Sequence, residues 1–130
     1  MKLGNLRALG LACALALSVS PAFAASEFRG IDTDNDGTID LNEAKAAAGA
    51  VFDKLEVNHT GKLDPAELRG RISMKDWATA DPDHDQTLTK DEYLNFVEFA
   101  FKRADKDGEG TVDAKEARAP AGRALMRLLR

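Results

Sequence analysis

The sequence predicts an all-α fold: a compact three-helix core with four acidic loops at 24–25-residue spacing and short inter-loop helices shared between adjacent loops. Three observations carry that expectation. A twelve-residue pattern of carboxylates around a tight turn occurs four times, starting at residues 32, 56, 81 and 105. The regular period marks an internal repeat, so the fold is read repeat by repeat. Only 12 or 13 residues separate consecutive loops, and their apolar side chains recur at helical spacing. A loop with private entering and exiting helices would need a repeat longer than about 30 residues. Each helix must therefore leave one loop and enter the next.

In order, the chain opens with Lys2 and Arg7, an apolar run from Ala8 to Val19, and then Pro21-Ala22-Phe23-Ala24. A charged start, a short apolar stretch and a small-x-small site predict a secretory signal peptide over residues 1–24, cut after Ala24. The run is too short to span a bilayer. Cys13 lies inside it, with Gly10 at the third position before, which argues against a lipoprotein signal. Residues 25–130 then form a single domain. Loss of Lys2 and Arg7 leaves 22 acidic and 16 basic side chains, a formal charge of −6, and no cysteine. Without a thiol there is no disulfide, thiolate metal site or cysteine nucleophile. The acidic balance speaks against nucleic acid, whose partners carry basic faces.

The first loop, residues 32–43, is the fullest copy. Asp32, Asp34, Asp36, Asp40 and Glu43 stand at positions 1, 3, 5, 9 and 12, with Gly37 at position 6. A hard cation takes six to eight oxygens in a near pentagonal bipyramid, and this spacing supplies them from one segment. Gly37 allows the sharp turn through positive φ. Thr38 offers its backbone carbonyl, and Glu43 reaches back with both oxygens. Asp40 also caps the following helix, with Glu43 three residues on completing a capping box. This is the EF-hand loop pattern.

The other loops follow the same register. Loop 3, residues 81–92, offers Asp81, Asp83, Asp85, Thr87, Thr89 and Glu92, with Gln86 in the glycine position. Loop 4, residues 105–116, offers Asp105, Asp107, Glu109, Thr111, Asp113 and Glu116. Loop 2, residues 56–67, is a worn copy with Glu56, Asn58, Thr60, Lys62, Asp64 and Glu67, expected to bind weakly or to serve as a structural partner. His59 and His84 fall at position 4 of their loops, where the side chain faces solvent.

Helices are expected over 44–55, 68–80 and 93–104. In the second, Gly70 and Ser73-Met74-Lys75-Asp76 indicate a break, followed by a short helix carrying Trp77 into loop 3. The third is apolar around more than half its circumference, through Tyr93, Leu94, Phe96, Val97, Phe99, Ala100 and Phe101. Core packing is its expected use; a homodimer or protein partner on its aromatic face is the other. Pro120 ends the helix after loop 4, and a last helix from there places Leu125 and Leu128 on the core. Phe28 and Ile31 tether the start of loop 1. A 12-residue helix is about 18 Å long, so consecutive loops sit at opposite ends. Up-down-up packing then pairs loop 1 with loop 3 and loop 2 with loop 4, through Ile39 with Leu88 and Leu63 with Val112.

The short repeat, the signal peptide, Phe52-Asp53-Lys54-Leu55 before loop 2, Asp81-Pro82-Asp83-His84-Asp85, the ninth-position Asp40 and Asp113, and Ala119-Pro120-Ala121-Gly122 together resemble the lanmodulin family. The resemblance implies a periplasmic protein that binds trivalent lanthanides in preference to calcium and folds on doing so. The loops themselves lead to an expectation of lanthanide(III) or calcium ions, up to three or four per chain. Position 2 departs from the family's frequent proline, which here occurs only as Pro82. Charge supports the same direction. A trivalent ion gains half again as much from each carboxylate as a divalent one at equal distance, though it loses more hydration. Dense anionic shells therefore favour it, and loops 1 and 4 carry five acids each. Two readings without lanthanide stand beside it: a calcium buffer, and a calcium-gated adaptor exposing the third helix. An enzyme is not expected, because the loop registry accounts for every clustered carboxylate.

Overall fold

The computed structural model describes residues 27–130. The expected signal peptide lies outside those residues. Five helices and four two-residue strands follow in order: β1 (Ile39–Asp40), α1 (Leu41–Leu55), β2 (Lys62–Leu63), α2 (Met74–Ala80), β3 (Leu88–Thr89), α3 (Lys90–Ala104), β4 (Thr111–Val112), α4 (Ala114–Arg118) and α5 (Pro120–Leu128). No described helix is long and apolar enough to cross a membrane.

The loops start the helices. Asp40, Thr89 and Asp113 each accept the N–H of the glutamate three residues on, and that glutamate accepts the cap's own N–H. Two orphan donors are thereby satisfied at each start. α1 ends with Glu56 as its C-cap and α3 with Asp105, the first residues of loops 2 and 4. These two helices therefore join one loop directly to the next. Pro120 begins α5 at a position where its missing N–H costs nothing.

α3 lies between α1 and α5, and α5 packs in turn on α4. The core contains Phe52, Tyr93, Phe96, Val97, Phe101, Leu125 and Leu128, closed near loop 1 by Phe28 and Ile31. Phe52 and Tyr93 meet at 5.9 Å in a tilted arrangement. Most of the aromatic face of α3 is thus used inside the fold, and Phe99 alone of its large side chains is exposed. Lys45–Glu98 at 2.6 Å and Lys90–Asp53 at 3.0 Å tie α1 to α3 along the surface.

Tyr93 is fully buried and its hydroxyl donates to the Leu128 carbonyl at 2.7 Å, joining α3 to α5. Burial pushes its phenol up to about 12. An acid raised in the fold contributes stability that is complete below its unfolded pKa, about 10, and is lost as pH rises through the folded value. Denaturant midpoints should therefore fall between pH 10 and 12. In Tyr93→Phe that fall should shrink, at a cost of about 1 kcal/mol at neutral pH.

The loop pairing corrects the sequence expectation. β1 pairs antiparallel with β4, Ile39 opposite Val112, and β2 with β3, Leu63 opposite Leu88. Loop 1 therefore joins loop 4, and loop 2 joins loop 3, although loops 2 and 3 are consecutive. The cause is the 68–80 segment. It turns at Gly70, where φ is +78°, and restarts at the Ser73 cap as the seven-residue α2. The broken segment returns the chain to the end it left, whereas α1 and α3, each about 22 Å long, carry it across.

Candidate metal centres

All four loops share one backbone trace. Position 4 is left-handed at Asn35, His59, His84 and Gly108, and position 6 at Gly37, Gly61, Gln86 and Gly110. Asn and His tolerate this region better than most residues. Gln86, at φ +65°, holds the turn where glycine would do so without strain, a cost of the order of 1 kcal/mol. His59 and His84 are exposed, as position 4 requires.

The trace turns side chains inward. Asp32, Asp34 and Asp36 bring carboxylate oxygens within 4.8 Å of one another, as do Asp34, Asp40 and Glu43. The same holds for Asp81, Asp83 and Asp85 in loop 3, and for Asp105, Asp107 and Glu116 in loop 4. Glu92, Glu109 and Asp113 lie outside these groups. Thr38 and Thr87 donate both backbone and hydroxyl hydrogens to the position-5 aspartate, Thr111 lies in β4, and Thr89 is the α3 cap. Among the described residues, loop 2 gathers no such group. Asn58 Oδ1 accepts from Thr60, the Lys62 carbonyl accepts the Thr60 hydroxyl, and Asp64 and Glu67 bond to each other's backbone N–H.

The position-1 aspartates test whether a cation fits. Oδ2 of Asp32, Asp81 and Asp105 accepts the position-6 N–H at 2.9 Å in each loop. Oδ1 of Asp81 and of Asp105 is buried with no partner, and Asp81 is only 1 % exposed. A buried carboxylate oxygen with nothing to bond is costly unless something positive completes it. The two loops therefore fit an oxygen-seeking cation. Glu67 Oε1 is also buried without a partner, and Glu56 Oε1 accepts the Gly61 N–H as the other position-1 carboxylates do, but among the described residues no group of acids converges in loop 2, so it fits poorly.

The twelfth-position glutamates differ. Glu43 Oε1 accepts the Thr33 N–H at 2.8 Å, and Glu116 Oε1 accepts the Lys106 N–H at 3.0 Å. Pro82 has no N–H to give in loop 3. Desolvation, and then the charges of Asp83, Asp85 and Asp81, push Glu92 above the usual range, outweighing the Thr89 N–H bond that lowers it. At Asp34 the Asp36 N–H pulls the carboxyl down. The Asp32 side chain, desolvation and the charges of Asp36 and Glu43 together outweigh it and raise the group.

One contact between loops was not legible in the sequence. Lys62 Nζ lies 2.6 Å from Asp85 Oδ2, linking loop 2 to loop 3. This bond, with those from Thr87, holds Asp85 down to about 2, and the same contact raises Lys62. Pairing loop 2 with loop 4 had hidden it. In the observed register Lys62 stands opposite Thr89, within reach of loop 3.

The EF hand family model matches residues 24–45 and 96–118, the segments holding the paired loops 1 and 4. Over 67 residues the chain is 50% identical to lanmodulin of Methylorubrum extorquens, across 47% of this chain and 50% of that protein. It is 33% identical over 84 residues to a mitochondrial adenyl nucleotide antiporter of Danio rerio, across 51% of this chain but 18% of that one. The chain thus spans about half the length of the first relative and a small part of the second.

Proposed function

We propose that this chain is a lanmodulin-like EF-hand protein that binds lanthanide(III) ions, with calcium held more weakly, and folds as it does so. The observation that carries the proposal is the pair of buried, partnerless oxygens on Asp81 and Asp105, each among converging carboxylates. Loops 1 and 4 dominate, with Asp32, Asp34, Asp36, Asp40 and Glu43 in one and Asp105, Asp107, Glu109, Asp113 and Glu116 in the other. Loop 3 follows, and loop 2 contributes least.

The chain places 17 carboxylates at ligand positions of the four loops. Without a cation their repulsion opposes a small core; with one, binding free energy becomes folding free energy. A leader ending at Ala24 would deliver such a protein to the periplasm, where it would sequester or pass on the ion. In parallel lanthanum and calcium titrations followed by far-UV circular dichroism, helicity should rise at a lanthanum concentration at least about a hundredfold lower, equivalent to ~2.7 kcal/mol. Coincident curves would favour the calcium buffer instead. A fully helical, cooperatively melting protein in excess chelator would overturn coupled folding.

A further inference from the structure

Position 7 holds threonine in loops 1, 3 and 4, at Thr38, Thr87 and Thr111, and lysine only in loop 2. In loop 1, Asp36 Oδ1 accepts the Thr38 N–H and hydroxyl, each at 2.8 Å, and among the described residues no cation or donor stands on Asp36 Oδ2. Loop 3 repeats the Oδ1 arrangement with Thr87, at 2.8 and 2.7 Å. There the resemblance stops, because Oδ2 of Asp85 is taken at 2.6 Å by the Lys62 ammonium. Both oxygens of the fifth-position ligand are therefore engaged in loop 3, and one is engaged by a positive charge tethered to the paired loop.

We propose that Lys62 is a built-in competing cation for loop 3, occupying Asp85 until a metal ion displaces it, and that this is the function of the worn second loop. The inference rests on the lanthanide-binding reading above. β2 and β3 hold Lys62 opposite Thr89, so the lysine stem crosses the pair at a fixed register. Lys62 is partly exposed, so its side chain can swing into solvent when displaced. A trivalent ion gains more from Asp85 than the single ammonium charge does, so displacement is favourable. The threshold for loading loop 3 is raised meanwhile, and loops 1 and 4 are left untouched.

The test uses terbium emission sensitised by Trp77, which lies four residues before Asp81 and reports loop 3. Lys62→Met keeps the stem and removes the charge. At low ionic strength its half-saturating terbium concentration should fall about two- to fivefold, the range of an exposed ion pair. In 1 M potassium chloride, where the screening length is about 3 Å, the difference should largely vanish. Lys62→Arg should bind like the parent. In an Asp85→Asn background Lys62→Met should give no gain. A readout independent of affinity is the Lys62 ammonium resonance, which should lose its exchange protection as loop 3 fills. Unchanged or weaker terbium binding by Lys62→Met, or a gain that survives high salt, overturns this inference while lanthanide binding stands. Absence of sensitised emission and of any lanthanum-induced helicity in the parent protein removes both.

Discussion

Gly122→Ala is expected to lower the melting temperature of the lanthanum-loaded protein by more than about 10 °C, a loss of at least about 3 kcal/mol. A Cβ at this position would lie 1.9 Å from the Glu116 carbonyl oxygen and 2.5 Å from Ala117 Cα. Both are backbone atoms, so no side chain can swing aside, and α5 must move off α4. Leu125 and Leu128, 0% and 1% exposed, would lose their places against α3. Because Glu116 belongs to loop 4, lanthanum affinity should fall with stability. Gly49→Ala is the matched control. Its Cβ, inside helix α1, would meet only the Lys90 side chain, Cε at an ordinary 3.6 Å and Nζ at 4.0 Å. That change should stabilise by about 0.5–1 kcal/mol. Melting followed by circular dichroism separates the two, and equal melting of Gly122→Ala and the parent would refute the close-packing account.

Glu116→Gln should weaken lanthanum binding in loop 4 by at least about tenfold, or ~1.4 kcal/mol, and by more than it weakens calcium binding. The carboxylate accepts N–H groups of Lys106 and Asp107 on one oxygen and of Asp113 on the other. An amide keeps the shape but turns an NH₂ toward one of those donors, so the cap as well as the charge is lost. Asp113→Ser is the gentler companion, removing the ninth-position charge and leaving a hydroxyl that can still cap α4. A trivalent ion loses half again as much Coulomb energy as a divalent one when a charge disappears at equal distance. Competition titrations against a chelator, run with each ion, give the two losses. If Asp113→Ser weakens both ions equally, the trivalent preference of loop 4 is refuted.

The local chemistry of these loops was legible because it is written in short-range residue choices. Asp40 with Glu43, and Asp113 with Glu116, are capping boxes whose partners lie three residues apart, and both formed as the spacing requires. The ends of α1 and α3, the break near Ser73 and the proline start of α5 were readable for the same reason. Loop pairing was not. It depends on how many times the chain crosses the core, and that number changes when one segment folds back on itself. Gly70 and Ser73 signalled the break, but the direction of the turn there is tertiary. One mistaken crossing exchanged both partners, moved Ile39 from Leu88 to Val112, and concealed Lys62 beside Asp85.

The nested order of the strand pairs has a kinetic consequence. Leu63 and Leu88 are 25 residues apart, whereas Ile39 and Val112 are separated by 73. Closing the longer span costs about 1 kcal/mol more chain entropy if it closes alone, since the cost grows with the logarithm of length. The inner pair therefore assembles first, and once it holds, the outer ends have less of the chain to search. Native contacts of low sequence separation also form fastest. Unfolding should run the other way, with β1 and β4 parting before β2 and β3. Amide hydrogens of Ile39 and Val112 should then exchange through smaller openings than those of Leu63 and Leu88.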